Sequence, residues 1–261
     1  MNIKIQNFRS IQSLNQTLKM NDVNIVQNSD ILEAMAIGFS RSLPYLSTAY
    51  QRFNQQGRGF DANDINSSIS IQLNDIAWTC SSESSKGDEK QLAQYCQSFI
   101  QSENPSSPLV IYYDKDFFKS EIKIDTKLDD GESSNYPTTA MKNALANNTK
   151  AQIATWFWHR ENAELRSKQP DRILTCIRQF CKNIYINSNN EFVITHNNEK
   201  TLLSELPIQE QNTILITMDL IRRAMIARTN NKNMIVLIDN FKEHIEPITK
   251  ILTKDMTFIT C

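Results

Sequence analysis

Met234-Ile235-Val236-Leu237-Ile238-Asp239 places five consecutive apolar residues in front of a carboxylate. A run this short, apolar at every position and rich in branched side chains, predicts a strand buried on both faces. What surrounds it narrows the chemistry. Asn240 follows the aspartate, and an amide cannot act as a general base near neutral pH. The chain has five glycines, none of them after Gly131, and no glycine-rich loop near its N-terminus.

Working outward, Glu210 to Arg228 predicts the longest helix, with Ile214, Leu215, Met218, Ile221 and Met225 spaced three and four apart on one face. A short helix from about Pro247 and a strand at Met256 to Thr260 follow the apolar run. At the other end, Ile3 to Ile11 begins by alternating apolar and polar residues, as a half-buried strand does. Val23 to Val26 predicts a second strand. A helix follows from Ser29, with Ile31, Leu32, Met35, Ala36 and Phe39 on one face and Ser29 or Asp30 as its cap. Residues 54–68, with Gly57 and Gly59, read as loop, and Ile69, Ile71 and Leu73 as a strand running towards Trp78.

Further along, Glu89 to Gln101 predicts a helix. Pro105 and Pro108 break the chain before Leu109-Val110-Ile111-Tyr112-Tyr113, a buried strand. An acidic, turn-rich loop spans about 123–137. Two helices, Ala151 to Lys168 and Asp171 to Asn183, are separated by Pro170, and a hairpin runs across Ile184-Ile186 and Phe192-Thr195 with Asn189-Asn190 at its turn.

At 261 residues and 40% hydrophobic content the chain can bury a large α/β core, and no apolar run approaches the roughly 20 residues that span a bilayer. The first residues lack the apolar stretch of a signal peptide. A net charge of −1 gives the whole molecule no field that attracts nucleic acid or anionic membrane. Five scattered cysteines, an odd number, suit a reducing cytoplasm.

The order of these segments resembles the RecF/OLD-like ATPases of the ABC class. Ile5-Gln6-Asn7-Phe8-Arg9-Ser10-Ile11 is similar to that family's opening strand, Val23-Asn24-Ile25-Val26 to the strand feeding its nucleotide loop, and Ile31-Leu32-Glu33-Ala34-Met35 to the helix after it. The stretch from Leu203 to Pro247 resembles signature motif, signature helix and magnesium-site strand in order. The resemblance implies an α/β, P-loop NTPase-like (ABC-ATPase-like) head in one domain, 1–261, with a mainly helical insert at approximately 85–200. It also implies work in bacterial DNA repair or antiphage systems.

Set against that family, four nucleotide elements depart together. A phosphate-binding loop needs glycines, a Lys and a Ser/Thr. Val26 is instead followed by Gln27, Asn28, Ser29 and Asp30, and Asp30 puts negative charge beside the phosphates. In the signature motif Pro207 stands for Ser and Gln209 for Gly, while Glu210 fits. Asp239 persists at the magnesium-site strand, but Asn240 replaces the glutamate that polarises water. His244 and Pro247 match the downstream motif, Lys242 and Glu246 depart, and the switch histidine after the final strand is missing.

Other features have plain readings beside the sharp ones. Asp239 could hold magnesium or be a residual polar residue at a strand end. Cys176 and Cys181 are five apart, about 140° around a helix, which suits core cysteines rather than a zinc site. His159, His196 and His244 form no ligand grouping. Trp156-Phe157-Trp158 cannot all face one side of a helix, so a core or interface role is open for Trp156 and Trp158. Arg222 and Arg223 read either as a solvated helix face or as a phosphate-backbone contact.

The function expected is a catalytically inactive, cytoplasmic pseudo-ATPase without cofactor or metal. It would serve as a structural or regulatory subunit, pairing through its head with a protein partner or a second copy. One alternative is an ATP- and magnesium-binding partner of an active ATPase in a repair or defence complex. Another, lowered by the near-neutral charge, is a nucleic-acid-binding module.

Overall fold

The computed structural model describes residues 1–41, 58–83, 90–101, 109–126, 140, 143–146, 148–196, 199–227, 234–239 and 256–261. Two four-stranded sheets enclose one helix. The first sheet is antiparallel and pairs β2 (Ile11–Thr17), β1 (Asn2–Phe8), β4 (Ser68–Leu73) and β5 (Ile76–Ser81) in that order. The helix is α1 (Ser29–Ser40), which follows β3 (Val23–Ile25) and contacts β1 and β4 on one side and the second sheet on the other. Being covered from both sides, it is apolar nearly all round: Ala34, Ile37 and Gly38 are buried along with the face read from its periodicity.

The outer limb of the antiparallel sheet differs from the single strand expected over residues 3–11. The chain turns between Phe8 and Ile11, with Asn7 at φ 51° and Arg9 at φ 47°, and returns as β2. Neither turn residue is glycine, which hides the reversal. Asn74, at φ 53°, likewise turns β4 into β5.

The second sheet is parallel and in the order β3, β11 (Thr257–Thr260), β10 (Met234–Ile238), β6 (Leu109–Tyr113). All five residues of β10 are fully buried, the pattern its apolar run predicts. β6 pairs with it from Met234↔Leu109 to Ile238↔Tyr113. The segment 85–200 therefore contributes a strand to the main sheet. Its other elements are α2 (Lys90–Gln101), α3 (Lys115–Lys119), α4 (Lys150–Ser167), α5 (Arg172–Phe180), β7 (Tyr185–Ile186) and β8 (Phe192–His196). The expected hairpin is present as β7 and β8, turned at Asn190 with φ 61°, and is extended by β9 (Glu199–Leu202) into a three-stranded sheet.

Side-chain caps start the helices, and that of α1 is Asn28 rather than the expected Ser29 or Asp30, because the Asn28 oxygen reaches the Ile31 amide while Ser29 and Asp30 already lie inside the helix. Thr149 and Gln152 form a reciprocal capping box on α4, and Asp171 accepts from the Ile173 and Leu174 amides at the start of α5. The last long helix, α6 (Ile208–Ala227), packs against α4 and α5 and reaches the parallel sheet through Asp219, which accepts from the Tyr113 hydroxyl at 2.8 Å. Side chains alternate along β6, so its neighbour Tyr112 meets Arg58 instead, at 4.8 Å. Among the described residues no helix is long and apolar enough to cross a membrane.

Candidate functional site at the carboxyl edge of the parallel sheet

In open α/β sheets ligands bind beyond the carboxyl ends of the strands. Here that edge carries Val26 and Asn28 after β3, Asp114 after β6, Asp239 after β10 and Cys261 after β11. The ends are tied together, since the Val26 amide donates to Thr260 at 2.7 Å and the Asp239 amide to Tyr113 at 2.9 Å.

The loop from β3 into α1 is closed on itself. Asn28 is extended, φ −155°, and its side-chain oxygen accepts from the Ile31 amide at 3.3 Å. Its Nδ2 donates to the Ser10 hydroxyl at 3.3 Å. Ser29 opens the helix. The Asp30 carboxylate takes the Ser10 amide at 3.3 Å and the Ser10 hydroxyl as well. Two carboxylates, Asp30 and Glu33, thus stand in the first turns of α1, where the helix dipole favours negative charge. Seven of the ten positive-φ non-glycine residues described are asparagines, yet Asn28 is not among them. The left-handed turns that could replace a glycine nest are elsewhere in this chain.

Asp239 is 7% exposed, and its Oδ1 accepts from the Cys261 thiol at 3.2 Å. Tyr112 lies in the field of the same edge. Burial, with the charge of Asp239 and then Glu33 behind it, raises its phenol well above the ordinary range. The Arg58 guanidinium over its ring bonds Glu33 at 2.8 Å, the Leu145 carbonyl at 3.1 Å and Asp114. Among the described residues no three His, Cys, Asp or Glu side chains come together as metal ligands.

Pro207, Gln209 and Glu210 are brought together at the start of α6, apart from this edge. The Glu210 amide donates to Pro207 at 2.9 Å, Gln209 is exposed, and the Glu210 side chain pairs with Lys182. Along the helix Glu210 is about 14 Å from Asp219, at 1.5 Å per residue. No described hydrogen bond or ion pair joins these three residues to Asn28, Asp30 or Asp239. Asn240 and His244 lie outside the described residues.

The expected solvated face at Arg222 and Arg223 is not what forms, and the same burial removes them as phosphate-backbone contacts. The two residues are 5% and 1% exposed. Arg222 forms an ion pair with Asp219 at 2.6 Å and Arg223 donates to it at 2.9 Å, while Arg223 also donates to the Ala140 carbonyl at 2.5 Å. Burial pushes the Asp219 carboxyl up, but the charges of Arg223 and Arg222 outweigh it and hold it down to about 2. The phenol of Tyr113, driven up by burial, stays protonated as a donor. Trp156 is buried, with Arg222 5.1 Å from its ring centre and Arg160 5.8 Å away. Trp158 is half-buried and donates to Asn190 at 3.0 Å, pinning α4 to the β7–β8 turn. Cys181 is buried and its thiol is pushed up to about 12, the behaviour of a core cysteine.

Sequence reasoning missed Arg58 and Asp114, which no periodicity marks. No family model matches the chain, and no curated protein matches it. Among solved structures the chain is similar to the recombination mediator protein RecF of the RecFOR pathway. One such structure, described as RecF-ATPrS, is 12% identical with a TM-score of 0.44, covering 100% of this chain and 91% of that one. Another, described as RecF-ATP, is 13% identical with a TM-score of 0.41, covering 100% and 92%. Likeness at these values speaks to neither activity nor site residues.

Proposed function

We propose that this chain is an ATPase-like head that does not hydrolyse nucleotide and works as a structural or regulatory subunit of a larger protein assembly. The observation that carries the reading is the self-capped start of α1. Asn28 satisfies the Ile31 amide, and Asp30 is bound to Ser10. A helix N-terminus attracts phosphate through free N–H groups and a positive end; here the Asn28 side chain takes the Ile31 N–H, and the Asp30 carboxylate sets negative charge in the first turn. Its partner is a protein, an active relative or a second copy, met through the head.

A second reading, an ATP- and magnesium-binding partner of an active ATPase, is favoured by one observation: Asp239 stands buried at the carboxyl end of β10. Calorimetric titration of the purified protein with Mg-ATP and a non-hydrolysable analogue, carried to millimolar nucleotide, separates the two. The expected outcome is no saturable heat. Saturable binding abolished by Asp239→Ala would overturn the first reading in favour of the second.

A further inference from the structure

Two arginines from separate parts of the fold share one carboxylate. Arg9, in the β1–β2 turn, sets Nη2 3.3 Å from Glu33 Oε1 and Nη1 3.1 Å from Oε2. Its other ion-pair partners among the described residues are Asp61 at 2.9 Å, Asp64 at 3.7 Å and Asp30 at 3.9 Å. Arg58 approaches the same Oε1 at 2.8 Å. Its other nitrogens reach Leu145 and Asp114, and Asp114 spends its second oxygen capping α3 through the Asp116 and Phe117 amides. The strand beside it is tied to the same segment, because the Tyr112 amide donates to Ala144 at 2.7 Å.

We infer that Glu33 is a conformational coupler between the β1–β2 turn of the antiparallel sheet and the β6–α3 junction at the carboxyl edge. Oε1 serves both guanidiniums, so the carboxylate cannot follow one arginine without changing its bond to the other. Burial resists the charge on Glu33, and the two arginines together overcome it. The turn-side arm ends at the surface: the Asp61 side chain is 70% exposed. A partner that takes Asp61 from Arg9, or draws Arg9 outward, therefore re-aims Glu33 and is felt at Asp114. This coupling is independent of whether the edge binds nucleotide.

Amide hydrogen exchange on the full chain tests it, with Arg9→Gln, Arg58→Gln and Glu33→Gln. Arg9→Gln is expected to speed exchange by about tenfold at Tyr112 and Phe117 as well as at Ser10 and Asp61, a change typical of sub-global opening. Arg58→Gln is expected to act in the reverse direction. In a Glu33→Gln background Arg9→Gln should leave Tyr112 and Phe117 unchanged. Effects confined to the mutated arm would overturn the inference, and so would propagation that persists without the Glu33 charge. Should Arg58→Gln not fold, Asp114→Asn perturbs the same arm while keeping the guanidinium.

Discussion

Asp219 is fully buried and faces two guanidiniums, a phenol and the Asn148 amide. Removing the charge from such a group leaves two buried arginines short of their counter-ion, and breaking a buried pair in this way costs about 3–5 kcal/mol. Asp219→Asn is expected to lower the stability measured by urea denaturation by that amount. Because the folded carboxyl is held at about 2 against an ordinary 3.8, its contribution is present above pH 3.8 and is lost as pH falls towards 2. Glu33, also lowered, acts in the same direction. Wild-type unfolding should therefore steepen in that acid window, and Asp219→Asn should flatten it; an unchanged acid limb would sink the assignment. The sequence did carry a signal for this group. Ile214 to Ile221 is apolar on nearly every side except at Asp219, so the helix had to be buried all round, and an Asp followed at i+3 and i+4 by Arg is the arrangement that lets charges enter with it. Arg58 carried no comparable mark, standing after Gly57 in a polar stretch.

At the level of elements, α1 depends on how closely it approaches β4. A Cβ on Gly38 would sit 2.5 Å from Ile71 Cδ1 and within 3.3 Å of Ile71 Cγ1 and Ile69 Cγ2. The Gly38 carbonyl also accepts from Trp78 Nε1 at 2.9 Å, fixing the helix against β5. Alanine gains about 1 kcal/mol of helix propensity, while overpacking costs about 1–3 kcal/mol. Gly38→Ala is thus expected to be net destabilising by about 1 kcal/mol, a fall of roughly 2–4 °C in Tm for a chain of this size. A rise in Tm would mean that Ile71 moves freely out of the way. The helices α4 and α5 were legible from their bounds at Pro170, α6 from its periodic apolar face, and β6 and β10 from short unbroken apolar runs. β2 was not, since only Ile11 of its residues is buried and its entry turn uses Arg9 rather than glycine. β9 was likewise unmarked, being short and half exposed.

For the whole molecule, the parallel sheet is the part that cannot be lost. β10 has a strand on either side and α1 against it, and Val236 at its centre is fully buried. Val236→Asp buries a carboxylate without a partner and is expected to abolish the cooperative unfolding transition, read by circular dichroism. A folded variant would mean that the strand is not central. The site was less legible than the fold: the departures in the loop after β3 were plain in its residues, but the ion pairs that close the edge join positions 9, 33, 58 and 114, and no local pattern announces contacts that distant.

The pairing of β3 has a consequence for how the chain is made. Its neighbour β11 is encoded far downstream; the Asn21 amide and its acceptor Thr257 are 236 residues apart. The four strands of the first sheet, by contrast, all lie within the first 81 residues. At about 5–20 residues per second, a ribosome would hold α1 with one face covered and the other bare for roughly 10–35 s. The backbone of β3, which pairs with β11, shares that wait. The vulnerable interval in this protein's life is therefore set by translation, and a chaperone that shields residues 23–40 until the downstream strands emerge would have its target there.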